Sequence, residues 1–466
     1  MNQQIDDAQI DVLDPATGDV VGAVELATVD NCIDAVERAA AALESWRQTA
    51  PRERAELLRA AFELMQERKQ ELARLVVSEN GKALPDALGE IDYAAEFFRW
   101  FAEEAVRIGG ELRVAPNGDK RIMVTKHPIG VSLLITPWNF PAAMATRKLA
   151  PALAAGCTTV VKPASETPLT AVAIAQLLAD AGFPDGVVQV VCPRPTGPAV
   201  RAMMDHPATR AISFTGSTEV GAQLLGQAAP RVLRCSMELG GNAPFIVHAD
   251  ADLDVALDAA MVAKMRNGGA SCIAANRFYV HDAIRGPFVE ALAERMAALP
   301  VGAGLEPGVA VGPMVSQGER DRVATLVDAA VTRGAALLCG GTVPEGPGWF
   351  YPPTVLDDVS PDDELLATEI FGPVAAITGF GDGDDVLALA NATEDGLAGY
   401  VCAGDLARAL RTVDGLDVGI VGVNRGFVSD PAAPFGGFKA SGLGREGGHE
   451  GIEEFLETKY VAVDWS

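Results

Sequence analysis

The sequence predicts an α/β protein built on a doubly wound, mostly parallel sheet, and three observations support this fold class. Short apolar segments alternate with helical segments from Ile129 onward, which is typical of β-α-β units. Polar and glycine-containing loops follow several predicted strands directly, as expected where ligands bind at the carboxyl ends of parallel strands. A chain of 466 residues is also too long to fold around one small hydrophobic core, so two or three domains are expected.

The N-terminal quarter predicts a strand pair followed by helices. Residues 11–22 read as two strands joined by a Pro-Ala-Thr-Gly turn. Apolar residues at helical spacing predict three helices, at 29–50, 51–80 and 84–108. Asp30 is the expected N-cap of the first helix, Pro51 opens the second, and Asn80-Gly81 ends it.

Residues 111–127 differ in kind, because polar and β-branched residues alternate there. They predict an excursion of strands, which either pairs with a neighbouring subunit or forms a plain surface hairpin. The tail at 454–466 returns to strand character and is a candidate partner for this excursion.

The strand–helix rhythm then runs to about residue 425. Strands are expected at 129–135, 158–161, 187–191, 211–214, 232–239, 243–248 and 278–281. Helices are expected at 142–155, 168–182, 197–205, 287–299 and 320–333, with a further helix starting at residue 219. Three loops after strands look specialised: 137–141, 162–168 and 215–221.

Composition argues against several classes of function. A formal net charge of −26 disfavours a nucleic-acid or anionic-membrane surface. No apolar run approaches the ~20 residues of a membrane helix, and the acidic segment 1–11 does not resemble a signal peptide. Seven cysteines without paired spacing and five isolated histidines predict neither a disulfide framework nor a metal site. We expect a cytoplasmic protein that acts on a small molecule.

Residues 266–277 contain the strongest candidate for chemistry. Cys272 sits among small residues, with Arg266 and Arg277 on either side and Gly268-Gly269 before it. Only a thiolate attacks carbonyl carbons, and cationic neighbours lower a thiol pKa. The alternative is a buried structural cysteine in a tight loop.

Three further signals are ambiguous when taken singly. The Gly216–Gly221 spacing at a strand-to-helix turn suits either a phosphate site or an ordinary helix cap. Lys162, after a strand, suits either a phosphate or ribose contact or a surface position. Glu238, beside paired glycines, is either a general base or a solvated carboxylate.

Together these segments resemble the aldehyde dehydrogenase superfamily, from residue 14 almost to the C-terminus. The markers are 136–141 (Thr-Pro-Trp-Asn-Phe-Pro), 214–217 (Phe-Thr-Gly-Ser), 238–241 (Glu-Leu-Gly-Gly), Cys272, 369–373 (Glu-Ile-Phe-Gly-Pro) and 434–437 (Pro-Phe-Gly-Gly). Within the superfamily, residues 144–148, Arg266-Asn267 and the segment 436–446 are most similar to the succinate-semialdehyde dehydrogenase branch.

The resemblance implies a domain organisation. A Rossmann-type cofactor-binding domain would comprise residues 1–108 and 129–240, and an α/β catalytic domain residues 241–440. Residues 109–128 and 441–466 would form a β oligomerisation arm and C-terminal tail, in a homodimer or homotetramer.

The resemblance also implies the catalytic roles. Cys272 would attack the aldehyde carbon, and the Asn139 amide with the Cys272 backbone N–H would hold the oxyanion. Glu238 would activate the water that hydrolyses the thioester. Lys148 and Glu446 match positions associated with proton relay or with support of that base.

The same resemblance implies a cofactor site. Its residues would be Thr136, Pro137, Trp138, Lys162, Ala164, Ser165, Gly216, Ser217, Leu239, Glu369 and Phe371. NAD-preferring relatives carry a glutamate at the position of Ser165, where a carboxylate would repel a 2′-phosphate. Ser165 and Lys162 therefore predict NADP use, with NAD as the second option, although Glu166 adds a carboxylate one residue later.

For the substrate, Arg147 and Arg266 match arginines that bind a distal carboxylate, and Ser429 matches a serine that assists them. Planar guanidinium suits carboxylate, but internal ion pairs are the alternative in so acidic a chain. Two departures from the family pattern are Ala270, where a glutamine is common, and Arg425, an unexpected charge near the expected pocket mouth.

The predicted activity is NAD(P)-dependent oxidation of succinate semialdehyde to succinate through a thiohemiacetal and a thioester on Cys272. The alternatives within the enzyme class are oxidation of glutarate semialdehyde or of an aliphatic aldehyde, and a thiol esterase or acyltransferase reaction that uses the same cysteine without a cofactor. The alternative from another class is a catalytically silent binding protein on the same fold.

Overall fold

The computed structural model describes residues 9–464, so most of the segment 1–11 and the last two residues lie outside the described range. The strands are β1 (Gln9–Leu13), β2 (Val20–Glu25), β3 (Glu111–Val114), β4 (Arg121–Pro128), β5 (Val131–Ile135), β6 (Thr158–Lys162), β7 (Val188–Val190), β8 (Thr209–Thr215), β9 (Arg234–Glu238), β10 (Ala243–Val247), β11 (Ala275–His281), β12 (Ala336–Cys339), β13 (Thr354–Asp357), β14 (Val374–Phe380), β15 (Asp395–Gly396), β16 (Ala398–Cys402), β17 (Ile420–Val423), β18 (Phe438–Lys439), β19 (Gly442–Leu443) and β20 (Leu456–Val463).

The α-helices are α1 (Val29–Gln48), α2 (Pro51–Glu67), α3 (Lys69–Asn80), α4 (Leu84–Ala105), α5 (Pro141–Ala155), α6 (Leu169–Asp180), α7 (Thr196–Asp205), α8 (Thr218–Ala228), α9 (Leu253–Met265), α10 (Asp282–Ala297), α11 (Gln317–Thr332), α12 (Glu364–Ala367), α13 (Val386–Asn391), α14 (Leu406–Gly415) and α15 (Glu450–Glu453). Two 3₁₀ turns occupy Ala229–Arg231 and Arg266–Gly269. No helix within residues 9–464 is both long enough and apolar enough to cross a bilayer.

Two details of the N-terminal helices correct the sequence-based expectation. The N-cap of α1 is Thr28, which forms a reciprocal capping box with Asn31, so the assignment to Asp30 was wrong. The single helix expected at 51–80 is two helices, because Arg68 leaves helical geometry between them. The predicted stop is confirmed, since Gly81 adopts a left-handed conformation after α3.

The first large sheet has the strand order β19-β9-β8-β5-β6-β7, and it is parallel except for the short edge strand β19. Every residue of β5 and β6 is buried, because helices cover both faces of the sheet. The chain order runs outward from β5 to β7 and then resumes at β8 on the other side of β5. The loops after β5 and β8 therefore flank a topological switch point, where ligands bind in open α/β sheets.

The second large sheet has the order β12-β13-β14-β11-β10-β16-β17. All its pairings are parallel except that of β12 with β13. An apolar core that includes Phe245, Phe278 and Phe288 fills the space between this sheet and the helices α9 and α10. The doubly wound α/β fold class is confirmed.

A separate three-stranded antiparallel sheet has the order β20-β4-β3. Tyr460 of β20 pairs with Val124 of β4, and Val124 pairs in turn with Glu111 of β3. The C-terminal tail therefore does pair with the predicted excursion. We refer to these three strands as the arm.

Candidate active site

The loop that carries Cys272 is shaped by backbone-to-backbone packing. Helix α9 ends at Met265, a 3₁₀ turn covers Arg266–Gly269, and β11 begins three residues after Cys272. Gly269 has φ +78°, and a Cβ there would collide with the carbonyl oxygen of Gly372. A Cβ on Gly241 would collide with the carbonyl oxygen of Cys272 itself. Glycine is required at both positions because the facing backbone leaves no room for a side chain.

Cys272 is half-buried and lines two cavities that meet at its position. Burial, with smaller contributions from the carboxylates of Glu369 and Glu238, raises the pKa of the thiol to about 12, and Arg147 acts in the opposite direction. The expected lowering by neighbouring cations is therefore outweighed. At neutral pH the resting group is a thiol, and a base must remove its proton before attack.

Asn139 lies beside Cys272 and lines both cavities. Its side-chain Nδ2 donates to the carbonyl of Ala270 at 3.2 Å, and its Oδ1 is buried without a hydrogen-bond partner. The same Ala270 carbonyl accepts a second hydrogen bond from Asn267 Nδ2 at 2.9 Å. Alanine in place of the common glutamine at position 270 therefore does not release the loop, because both hydrogen bonds are to the backbone carbonyl of Ala270.

Glu238 ends β9 and is only 2% exposed. Both carboxylate oxygens lack a hydrogen-bond partner within the described structure. Burial raises its pKa well above the usual range, and Glu446 adds to this effect while Arg147, Lys148 and Arg445 oppose it. A buried carboxyl with free oxygens and a raised pKa is suited to accept a proton from a neighbouring group.

A buried ionic cluster lies next to Glu238. Lys148 donates to Glu446 Oε1 at 2.5 Å and to Ser213 Oγ at 2.9 Å. Arg147 reaches the second oxygen of Glu446 at 3.5 Å and donates to the Tyr93 hydroxyl at 2.7 Å. The alternative of an internal ion pair therefore holds for Arg147, since Glu446 neutralises part of its charge.

The smaller of the two cavities at Cys272 contains the predicted substrate residues. Its wall includes Arg147, Arg266 and Ser429. Arg266 donates to Ser429 Oγ at 2.9 Å and stacks on Phe427, with 4.8 Å from the guanidinium carbon to the ring centroid. Arg266 forms no ion pair among residues 9–464, but its charge acts on Asp86, a residue of the outer cavity, and opposes the rise in the pKa of that carboxyl that burial causes.

An outer cavity of about 460 Å³ shares Arg266 and Phe140 with this inner one, and Phe427 lines its wall. Its remaining wall is mostly apolar and includes Met261 and Met265. The two cavities form a route from the surface to Cys272, with Arg266 at their junction. Arg425 lines neither cavity, because it is exposed and donates from Nε to the carbonyl of Phe427.

The larger cavity at Cys272, about 310 Å³, opens at the switch point of the first sheet. It brings together nine predicted residues: Pro137, Trp138, Asn139, Gly216, Ser217, Leu239, Cys272, Glu369 and Phe371. Trp138 and Phe371 meet edge to face, with ring centroids 5.2 Å apart. The cavity volume is at the lower end of the range for small-molecule sites.

A dinucleotide fits the residues present in this cleft. Ser217 caps α8 by accepting from Val220 N, so the helix N-terminus with its exposed N–H groups borders the cleft and suits a pyrophosphate. Burial raises the pKa of Glu369 to about 8, while the Gly241 N–H that it accepts lowers it. A carboxyl held in this way is placed to accept ribose hydroxyls.

Four predicted cofactor residues lie outside this cavity: Thr136, Lys162, Ala164 and Ser165. They remain close in the fold, since the Thr136 N–H donates to the Lys162 carbonyl at 3.2 Å across adjacent strand ends. Burial lowers the pKa of Lys162, and Glu166 opposes this effect. Ser165 and Glu166 are both exposed.

Arg322 and Glu319 of α11 line the cofactor cleft, and the sequence analysis did not single them out. Arg322 donates to the carbonyls of Glu369 at 3.2 Å and Ile370 at 2.8 Å, and it pairs with Glu319. An i, i+3 charge pair on an amphipathic helix is too common to signal a site, so the sequence gives no means of finding them.

Fold and site together define a dinucleotide-dependent oxidoreductase with a reactive cysteine at the meeting point of two cavities. The chain belongs to the aldehyde dehydrogenase family, whose sequence model matches residues 2–461. Members of this family use NAD(P).

Individual relatives agree with this assignment. Succinate-semialdehyde dehydrogenase of Paenarthrobacter nicotinovorans is 50% identical over 437 residues, covering 94% of this chain and 97% of the relative. Glutarate-semialdehyde dehydrogenase of Pseudomonas putida is 48% identical over 457 residues, covering 97% and 94%. The crystal structure of an NADP-dependent enzyme from E. coli superposes with a TM-score of 0.96 at 48% identity, covering 98% of this chain and 95% of that one. The predicted relationship to succinate-semialdehyde dehydrogenases is confirmed.

Proposed function

We propose that this enzyme oxidises succinate semialdehyde to succinate with NADP as the preferred cofactor. One observation carries the substrate assignment: Arg266 lines the Cys272 cavity with Ser429 as its hydrogen-bond partner and forms no ion pair with a carboxylate among the described residues. A guanidinium in that setting binds a carboxylate through paired hydrogen bonds. The 50% identity to a succinate-semialdehyde dehydrogenase supports the same substrate.

In the proposed mechanism, Cys272 loses its proton to Glu238 and its sulfur forms a bond to the aldehyde carbon. The Asn139 amide and the Cys272 N–H stabilise the resulting oxyanion, and one such donor typically contributes ~2.7–4 kcal/mol to barrier lowering. A dinucleotide bound in the larger cleft supplies the hydride acceptor, which leaves a thioester on Cys272. Glu238 passes the cysteine proton to solvent before hydrolysis. It then takes a proton from water as that water attacks the thioester, and Cys272 leaves as the thiolate and recovers this proton from Glu238.

Lys148 and Glu446 support Glu238 in this mechanism. They form a buried ion pair anchored on Ser213, and both charges act on the Glu238 carboxyl. Glu446 raises the pKa of Glu238 and Lys148 lowers it, so the two charges act on the base in opposite directions.

For the cofactor, Ser217, Trp138 and Leu239 would contact the pyrophosphate and nicotinamide side, and Glu369 the ribose. Lys162 and Ser165, with Thr136 and Ala164 beside them, would receive the adenosine half. The absence of a carboxylate at Ser165 favours a 2′-phosphate and therefore NADP. The 48% identity to an NADP-dependent enzyme of known structure supports this preference.

A second substrate, glutarate semialdehyde, is favoured by the outer cavity. That space of about 460 Å³ adjoins Arg266 and leaves room for a longer carbon chain. A relative that is 48% identical carries this activity in its name.

The test is kcat/KM for succinate semialdehyde, glutarate semialdehyde and hexanal, each with NADP and with NAD. Wild type is compared with Arg266→Met, which keeps the apolar stem, and with Arg425→Met as a matched control outside both cavities. We expect a preference for the acids that Arg266→Met lowers at least ~10-fold and Arg425→Met leaves intact. Equal turnover of hexanal and the acids by wild type and Arg266→Met would refute the substrate assignment.

We further propose that the arm joins copies of the chain into a dimer or tetramer and that the enzyme works in the cytoplasm. The exposed apolar side chains Leu112 and Val114 on β3 support the first proposal. The seven unpaired cysteines, which suit a reducing compartment, support the second.

A further inference from the structure

The backbone of Asn139 is held from outside its own loop by two side chains. Asn139 lies between β5 and α5, and it is 3% exposed. Its carbonyl oxygen accepts hydrogen bonds from Lys82 Nζ at 2.7 Å and from Asn267 Nδ2 at 2.9 Å. The carbonyl of the preceding residue, Trp138, accepts a further hydrogen bond from Asn80 Nδ2 at 2.9 Å. The main chain at Asn139 is therefore fixed by these side chains and not by the hydrogen bonds of a helix or strand.

Asn267 connects this loop to the loop of Cys272. Its Nδ2 also donates to the carbonyl of Ala270 at 2.9 Å, and that carbonyl accepts from Asn139 Nδ2 at 3.2 Å. Asn267 is 5% exposed and has φ +55°, a conformation that asparagine tolerates better than most residues with a side chain. Its backbone N–H donates to Asp86 Oδ2 at 3.0 Å. One amide group thus bridges the loop after a strand of the first sheet and the loop before a strand of the second.

Lys82 belongs to a buried ion pair that also reaches the start of α5. Its Nζ donates to Glu90 Oε2 at 2.5 Å, and the two side chains are 2% and 0% exposed. The other oxygen of Glu90 accepts from the backbone N–H groups of Ala142 at 2.8 Å and Ala143 at 3.3 Å. A carboxylate is favourable at a helix N-terminus, where the first N–H groups lack partners within the helix. The pair therefore ties the carbonyl of Asn139 to the first turn of α5.

The orientation of the Asn139 side chain depends on the Ala270 carbonyl. A side-chain amide carries two N–H bonds, and one of those of Asn139 donates to Ala270. The second N–H is left for an oxygen atom bound at Cys272, because Asn139 and Cys272 line the same two cavities. A donor of this kind acts over a narrow range of distances, and a displacement of ~1 Å can lower a rate about 100-fold.

We propose that Asn267 and Lys82 are positioning residues for the oxyanion formed at Cys272, because they set where the Asn139 amide stands relative to the sulfur. Neither residue lines a cavity that contains Cys272, so both act through Asn139 and not on the substrate. The inference rests on the proposed function, in which the Asn139 amide stabilises the oxyanion. Loss of Asn267 should then lower the rate although every group that touches the substrate is still present.

A double-mutant cycle between Asn267→Gly and Asn139→Ala separates positioning from a general contribution to the fold. Glycine adopts φ +55° without strain, and alanine at position 139 keeps the backbone carbonyl that Asn267 and Lys82 hold. Any purely structural effect of Asn267 therefore persists in the Asn139→Ala background, whereas an effect through the side-chain amide disappears. The measurement is the single-turnover rate of NADPH formation at saturating succinate semialdehyde, and the melting temperature of each variant is recorded beside it.

In the wild-type background we expect Asn267→Gly to slow NADPH formation at least ~10-fold. In the Asn139→Ala background the same change should alter the rate by less than about twofold. Asn424→Gly is the matched control, since Asn424 has φ +50° and its side chain bonds the backbone N–H and carbonyl of Ala403. Asn424 lines neither cavity at Cys272, so this change should leave the rate intact in both backgrounds.

Lys82 is tested by Lys82→Met combined with Glu90→Gln, which leaves no unpaired buried carboxylate. The amide oxygen at position 90 can still accept from the N–H groups of α5. We expect this combination to slow NADPH formation in the wild-type background and to change it little in the Asn139→Ala background. The combination also tests the inference if Asn267→Gly does not fold.

Equal losses in the two backgrounds would overturn the inference, since Asn267 and Lys82 would then act on the fold and not through the Asn139 amide. An unchanged rate in Asn267→Gly would overturn it as well. Both results would leave the oxyanion role of Asn139 standing if Asn139→Ala itself is slow. A full rate in Asn139→Ala would instead refute that role, and with it the mechanism of the proposed function.

Discussion

At the scale of single residues, the reactive group of this enzyme is stored in its unreactive form. Cys272 is half-buried between Glu369 and Glu238, and its thiol pKa is raised to about 12. Storage as a thiol protects the sulfur from oxidants, which react with thiolate. The cost is that activation depends on a base close to Cys272, and Glu238 fills that role in the proposed mechanism.

Alkylation of the cofactor-free enzyme by iodoacetamide tests this state of Cys272. Below the thiol pKa, the thiolate fraction rises about tenfold per pH unit. Because the pKa is raised, we expect the rate of Cys272 modification to climb from pH 7 to 9 without a plateau, as followed by peptide mass spectrometry. Cys272→Ala gives the background rate. A plateau near pH 7.5 would mean that the site stabilises the thiolate.

Ser165 offers a second test, directed at cofactor choice. In Ser165→Glu, the new carboxylate would lie where a 2′-phosphate is proposed to bind, and like charges in contact cost several kcal/mol. We expect kcat/KM with NADP to fall at least ~10-fold and kcat/KM with NAD to change little. Ser165→Gln, of similar size but neutral, should retain the NADP preference. Equal losses with both cofactors would place Ser165 outside the phosphate site.

Single residues also mark the limit of prediction from sequence. Cys272 and Asn139 were found because they lie in distinctive segments next to glycine, proline or tryptophan. The pairing of Arg147 with Glu446 joins positions 299 residues apart, and no local pattern encodes it. Arg322 could not be found either, since its role depends on which loop happens to pack against α11.

At the scale of elements, the loop that follows α12 depends on α11 for its shape. Phe371 has φ +56°, a conformation that costs a non-glycine residue roughly 1–3 kcal/mol. Arg322 holds the two preceding carbonyls, those of Glu369 and Ile370. The helix thereby fixes the carboxylate and the ring that face the cofactor cleft.

Replacement of Arg322 by methionine should loosen this loop. We expect the KM for NADP to rise about 10-fold in Arg322→Met, with a smaller fall in kcat, because Cys272 and Glu238 keep their own contacts. Steady-state kinetics with varied NADP measures both constants. Arg320→Met, two positions earlier on the same helix and without a contact to the loop, is the control. Similar behaviour of the two variants would remove the proposed role of Arg322.

Element boundaries were predictable where local chemistry sets them and wrong where packing does. Gly81 ends α3 because the C-cap requires a left-handed backbone conformation, and a glycine at this point of the sequence predicts such a conformation. The break at Arg68 left no such sign, since Met65 and Leu72 on its two sides keep helical spacing and are both buried. The alternation that predicts the parallel sheets is stronger evidence, because it recurs over many elements.

At the scale of the whole molecule, the arm is a small sheet that projects apolar groups into solvent in the single chain. Leu112 and Val114, two residues apart on β3 and so on one face, are 61% and 52% exposed. Two strands close in sequence, β3 and β4, and one from the C-terminal tail, β20, build it.

The double variant Leu112→Asp/Val114→Asp tests the proposed role of the arm in assembly. If the arms of two copies pack together through these side chains, assembly would bury two carboxylates without partners, and this would cost much free energy. We expect the mass from light scattering after gel filtration to fall to that of a smaller assembly. Val232→Asp, at an exposed site that is not in the arm, should leave the mass unchanged. An unaltered mass in the double variant would show that copies meet elsewhere.

The packing of Gly241 against Cys272, and of Gly269 against Gly372, also bears on how this enzyme changes over evolutionary time. Any side chain at these glycines would collide with a facing backbone carbonyl, so almost every substitution there would disturb the reacting centre. The apolar side chains around the outer cavity carry no such restriction. New substrates should therefore arise by exchange of Met261, Met265 or Phe427, while the machinery that performs the oxidation stays fixed.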